Sequence, residues 1–144
     1  MEASRIFGAV IRHFSERSFA CLPEFTLKTG RRPDVVCLGR DGQILIIEVK
    51  SSVADFKSDQ KWHEYCDWAD AFYFAVDDEF PRDILPDETQ CGIIITDGFD
   101  CHITRPAPMR KLAGARRAHI IRRLARVAMM RLTYQEDASD IEEA

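Results

Sequence analysis

The sequence predicts a mixed α/β domain in which a central sheet is flanked by helices, and three observations carry that prediction. Two short stretches rich in Val, Ile and Leu, 32–38 and 44–50, flank the turn signal Gly39-Arg40-Asp41-Gly42-Gln43 and read as paired strands. Further apolar runs at 71–76 and 91–96 have the length of strands, the first apolar throughout as in a buried strand. Amphipathic stretches with helical spacing occur before, between and after them. At 144 residues, with 46% hydrophobic and 31% charged residues, the chain has the composition of one globular domain. That domain is expected over 1–135, followed by an acidic, apolar-poor and disordered tail at 136–144.

Taken in order, residues 4–17 predict an amphipathic helix, with Ile6, Phe7, Val10, Ile11 and Phe14 on one stripe. Residues 19–27 predict a strand that Pro23 confines to an edge or an irregular position. The hairpin follows, and then 52–69 reads as a helix. Ser52 and Asp55 resemble a capping box, although Ser58 is an alternative start. Trp62, Tyr65, Cys66 and Ala69 lie at i, i+3, i+4 and i+7 and are expected to pack on the sheet. The 71–76 strand is followed by a proline-containing surface loop at 77–90. Strands at 91–96 and 101–104 then form a hairpin through Asp97-Gly98. A long helix is expected over 109–132, burying Ile120, Ile121, Leu124, Val127 and Ala128 and turning Arg116, Arg122, Arg123 and Arg126 outwards.

Composition narrows the function classes. No apolar run approaches the roughly 20 residues needed to span a bilayer, and the first residues carry no signal-peptide pattern, so the chain is expected in the cytoplasm. The five cysteines form no CxxC pair and mostly sit in apolar stretches, which favours reduced core thiols over a zinc site or a disulfide framework. There is no GxSxG, P-loop or GxGxxG motif. The net charge of −4 hides a segregation: 105–131 holds nine Lys and Arg and no acid, whereas 77–88 holds six acids against Arg82. The basic segment is compatible with a phosphate-binding surface or with a solvated helix face.

The second strand of the hairpin ends in Glu48-Val49-Lys50, where a core strand should stay apolar. Buried charge is costly unless paired or coordinating a metal. A three-residue loop, Arg40-Asp41-Gly42, places Gly in the left-handed third position. In that register Val36 faces Ile46, Asp34 faces Glu48 and Arg32 faces Lys50. Opposed residues have Cβ atoms roughly 4.5–5.5 Å apart, so two carboxylates so placed call for a cation. A two-residue Asp41-Gly42 loop would instead set Val35 opposite Glu48 and send Asp34 to the other face.

Pro33-Asp34 followed by Glu48-Val49-Lys50 resembles the PD-(D/E)XK signature of restriction-endonuclease-like nucleases. With Asp59-Gln60-Lys61-Trp62-His63-Glu64-Tyr65 and Phe72-Tyr73-Phe74-Ala75-Val76, the chain is similar more narrowly to the MmcB family of bacterial DNA repair proteins. The resemblance implies a restriction-endonuclease-like core, with a mixed sheet between helices. It implies metal-dependent hydrolysis of DNA phosphodiester bonds, with Asp34, Glu48 and Lys50 catalytic and Mg²⁺ or Mn²⁺ held by Asp34, Glu48 and the Val49 carbonyl. Relatives often add an acid from the first helix, for which Glu16, Glu2 and Glu24 are candidates, and Glu16 is selected. They also place a polar or basic residue on the following helix near metal-bound water or phosphate, which points to Gln60 and Lys57. DNA contacts are expected from Lys57, Arg32, Arg116, Arg122 and Arg123. The expected partners are single-stranded, branched or mismatched DNA and other repair proteins, with recognition of shape and backbone rather than sequence.

Three alternatives stay open from the sequence, one of them a protein-interaction domain that uses the acidic loop and tail. Asp34, Glu48 and Lys50 also suit a structural ion cluster at a sheet edge. The same fold also serves as a catalytically silent DNA-binding or partner-recruiting module.

Overall fold

The computed structural model describes residues 1–143, with side chains described through residue 135. The tail expected at 136–144 lies outside the residues so described.

The turn chemistry between the two central strands sets the register on which the site depends. Gly39 N–H donates to Gln43 O at 2.8 Å and Gly42 N–H to Gly39 O at 3.1 Å, with Gly42 at φ +84°. This is the three-residue loop with its last residue in the left-handed region, where a side chain would be strained. It joins β2 (Val35–Leu38) to β3 (Ile44–Val49) with Val36 opposite Ile46 and Val35 opposite Ile47. Glu48 apart, both strands are apolar on both faces because both faces are covered.

Six strands form one sheet in sequence order. β1 (Ala20–Pro23) runs antiparallel to β2 at one edge. β3 is parallel to β4 (Ala71–Asp77), and β4 is parallel to β5 (Gly92–Thr96). β6 (Cys101–Arg105) returns antiparallel at the other edge. The sheet is therefore mixed and helix-flanked, as the sequence predicts.

α1 (Ala3–Ser15) buries Ile6, Ala9, Val10 and Phe14 against Val35, Cys37, Leu45, Ile47, Tyr73 and Ile94 on one face. The other face carries Val36, Ile44, Ile46, Phe72, Phe74 and Ile93 beneath α2 (Val53–Ser58), a 3-10 helix (Trp62–Trp68) and α3 (Gly114–Glu143). No helix among the described residues is long and apolar enough to cross a membrane. All five cysteines are free thiols.

Four elements depart from the sequence reading. The helix expected over 52–69 is broken, because Asp59 Oδ1 accepts from Lys61 N–H at 3.0 Å and this local turn competes with the helical ladder. Ser52 does open α2, accepting from Asp55 N–H at 3.1 Å. Tyr65 and Ala69 still reach the core from the 3-10 helix, and Trp62 stacks on Phe72 with centroids 6.1 Å apart. β1 stops at Pro23, since Glu24 adopts φ +50° and turns the chain. The 77–90 loop is not wholly surface, since Phe80 and Leu85 are buried in the core. α3 begins at Gly114 rather than 109, because the Arg110 and Leu112 N–H groups of the preceding segment are bound to Asp70.

Asp70 is buried at the start of β4. Its carboxylate accepts from Ile44 N–H at 2.7 Å and Leu112 N–H at 3.0 Å, and from both terminal nitrogens of Arg117 at 2.7 and 2.6 Å. Arg117 also donates to Gly42 O at 2.6 Å, tying α3 to the hairpin loop. Against the cost of burial, the guanidinium and the two N–H groups hold the Asp70 carboxyl down at about 2. Removing one partner of a buried pair leaves an uncompensated charge. Arg117→Leu is therefore expected to cost about 3–5 kcal/mol in urea unfolding, with Asp70→Asn/Arg117→Leu recovering part of that loss.

Candidate active site

The structure brings Asp34, Glu48 and Lys50 together at the carboxyl end of β3. Glu48 and Lys50 share the face of Ile44 and Ile46 because side chains alternate along a strand. Asp34 immediately precedes β2 and continues the ladder opposite Glu48. The two acids are locked reciprocally. Glu48 Oε1 accepts from Asp34 N–H at 2.8 Å, and Asp34 Oδ2 accepts from Val49 N–H at 2.8 Å. Each carboxylate thus spends one oxygen on the opposing strand and keeps the other for the cleft.

Glu48 and Lys50 are each only 5% exposed, so their charges are costly. Burial, and next the Asp34 charge, push the Glu48 carboxyl up to about 8. Burial also raises Asp34, with the Val49 N–H and Lys50 opposing. Lys50 Nζ lies 3.1 Å from Asp59 Oδ2, 3.9 Å from Asp55 Oδ1 and 4.0 Å from Glu48 Oε2. Against its own burial, the Lys61 N–H and Lys50 hold Asp59 below the usual carboxylate range. Arg31 Nε pairs with Glu64 Oε2 at 2.7 Å, joining the segment before Asp34 to the 3-10 helix.

A cleft of about 430 Å³ opens on this cluster, lined by Glu24, Asp34, Glu48, Val49, Lys50 and Asp55 together with the first turns of α1. The donor set fits a hard cation: half-buried Asp34 and buried Glu48 repel one another, each has an oxygen that takes no hydrogen bond, and Val49 adjoins them. Among the described residues there is no group of three or more His, Cys, Asp or Glu side chains placed to hold a metal.

The remaining sequence candidates divide by position. Glu16 caps the far end of α1, about 14 Å along the axis from the cleft-lining Phe7, and is not brought to the cleft. Of the three acids considered for that role, Glu24 lines it. Gln60 is exposed and its Nε2 donates to Lys57 O at 2.7 Å, while Lys57 and Arg32 are exposed. Arg116 and Arg122 are exposed on α3. Arg123 is half-buried rather than outward, donating to Thr26 O at 2.8 Å. Asp59 and Asp55 are the site residues that the sequence reading missed. The helix break that presents Asp59 rests on its side-chain bond to Lys61 N–H, which the continuing apolar stripe hides in the sequence.

The fold and this cluster define a helix-flanked mixed-sheet protein with a buried acid–lysine centre at the end of a parallel strand, where open α/β sheets bind ligands. The family described as DNA repair protein MmcB-like matches residues 2–139, and the chain belongs to it. Among solved structures, the chain is similar to the SPO1766 protein of unknown function from Silicibacter pomeroyi. The two are 42% identical with a TM-score of 0.89, covering 96% of this chain and 94% of that one. No curated protein matches.

The raised carboxyls give a pH dependence of defined sign. Between the ordinary 4.5 of glutamate and about 8, the folded state holds a Glu48 proton that the unfolded chain has released. Stability therefore falls as pH rises through that window. Asp70, being lowered, acts in the opposite sense, its contribution being lost as pH falls from 3.8 towards about 2. In a chelating buffer the melting temperature is expected to drop from pH 5 to pH 8. Glu48→Gln should flatten that slope and raise the pH 8 midpoint by several degrees, read by calorimetry.

Proposed function

We propose that this DNA repair family member is a metal-dependent deoxyribonuclease with a restriction-endonuclease-like PD-(D/E)XK core. The observation that carries this reading is the mutually repelling pair of carboxylates, half-buried Asp34 and buried Glu48, with buried Lys50 beside them. Asp34, Glu48 and the Val49 carbonyl would hold Mg²⁺ or Mn²⁺. When bound, such a cation lowers the pKa of a coordinated water and offsets charge developing on a phosphate.

The residues of the chain supply the remaining requirements. The reciprocal N–H bonds fix both carboxylates before any ligand arrives, so little reorganisation is needed on binding. The Lys50 ammonium counters phosphate charge and holds a proton at Nζ, with Asp59 setting its direction. Single-stranded, branched or mismatched DNA is the substrate class, recognised through shape and backbone.

A second reading is a catalytically silent DNA-binding module. It is favoured by the lack of a three-residue metal group among the described residues and by the Lys50–Asp59 pair, which engages the ammonium.

Cleavage of fluorescent single-stranded, nicked, flapped and forked DNA with Mg²⁺ or Mn²⁺ separates the two. The nuclease reading expects cutting that Asp34→Ala and Lys50→Ala each reduce by at least about 100-fold, with circular dichroism confirming that both variants fold. No cutting by the unaltered protein on any of these substrates, with DNA binding retained, would replace it with the silent module.

A further inference from the structure

A second cavity lies away from the carboxylate cleft. It has a volume of about 690 Å³ and sits at the junction of the 3-10 helix with α3. Lys28, Arg110, Lys111, Arg116 and His119 line it, with Trp68 in its wall. It therefore gathers four fixed positive charges on a chain whose net charge is −4. Asp67 is its sole acidic lining residue.

None of those four cations joins an ion pair with a carboxylate among the described residues. Arg116 is instead spread over the Trp68 ring, 4.4 Å from its centroid, and donates to Asp67 O at 2.8 Å. Arg110 donates to Thr89 O at 2.6 Å. Both guanidiniums are thereby held in place with their charge unneutralised. Lys28 and Lys111 are exposed. His119 Nε2 is buried without a hydrogen-bond partner, and burial, then Lys28, Arg123 and Arg122, push its pKa down. A site that gathers four cations against one carboxylate, with two guanidiniums held in place by carbonyls, suits an anion.

We infer that this cavity takes phosphate groups of a single DNA strand, as a second contact beyond the carboxylate cleft. The inference rests on DNA being the partner of the chain. Asp70, at the cavity end of the sheet, binds Ile44, which precedes Glu48 by about 13 Å of strand. Glu48 and Lys50 project on the sheet face that carries α2 and α3, and the cavity lies beside the 3-10 helix and α3 on that same face, so one strand can run between the two sites. A concave cavity admits a flexible single strand, whereas a stiff duplex reaches its rim.

The test is fluorescence anisotropy with a labelled oligo-dT and an equal-length duplex, in EDTA so that metal-dependent cutting plays no part. Lys28→Glu/Lys111→Glu alters two exposed side chains, and its melting temperature is checked against the unaltered protein. Single-strand binding by the double variant should weaken at least 10-fold. The slope of log affinity against log salt should shrink by about 1.4, at about 0.7 per lost phosphate contact. In Trp62→Phe protein, where Trp68 is the remaining indole, oligo-dT should quench emission. Unchanged affinity and slope in the folded double variant, or binding without a Trp68 response, would overturn the inference and leave the DNA reading intact. Duplex bound as tightly as single strand, with the same loss in the variant, would overturn the assignment to a single strand. Absence of DNA binding by the unaltered protein would overturn both.

Discussion

The bonds of Asp70 set the geometry on which the sheet and the last helix depend. One carboxylate joins the first residue of β3, the segment before α3 and the Arg117 guanidinium, and Arg117 carries the connection on to the hairpin loop. Three pieces of chain distant in sequence, 42–44, 70 and 112–117, are thus fixed at one buried point. A carboxylate there would be prohibitive without partners, but every contact made to it is a donor. The pairing makes the charge tolerable and the geometry specific. It also explains why α3 begins late: the residues before Gly114 serve Asp70 with their N–H groups and so cannot coil.

At the other end of β3 the same chemistry is left incomplete. Asp34 and Glu48 receive one backbone N–H each, enough to orient them but too little to offset burial and mutual repulsion. The fold spends stability there, whereas at Asp70 it gains it. Such contrast between two buried acids on one strand system separates a structural carboxylate from one prepared for a ligand.

The hairpin was legible, and its register was narrowed to two: Gly42 suits the third position of a three-residue loop, the one observed, or the end of a two-residue Asp41-Gly42 loop. The breach of apolar pattern at Glu48 and Lys50 was legible because strands alternate and the charges fell where a core face was due. Asp59 was not. Its neighbours continue a helical apolar stripe, and the turn it nucleates depends on a single side-chain bond to Lys61. The segregated arginines of α3 were visible as charge. Their use was not, because a guanidinium that binds the carbonyl of Gly42, Thr26 or Asp67 acts on chain segments far away in sequence. Glu24 illustrates the same limit: a strand-like pattern cannot reveal a residue turned to φ +50°.

Besides the Arg116 and Arg123 bonds, α3 is anchored by Arg117 at the hairpin loop and by Arg131 on the carbonyls of Pro23 and Glu24 beside the cleft. The Arg117 and Arg131 anchors stand about four helical turns apart on one side of the helix. The helix therefore acts as a fixed gauge between the two ends of the molecule. Point changes on its outer side leave the gauge intact. Insertion or loss of a single residue between the anchors turns one of them by about 100° and shifts it by about 1.5 Å. For a mostly solvent-facing helix, length is then a stricter constraint than composition, and substitution is tolerated where a shift in frame is not.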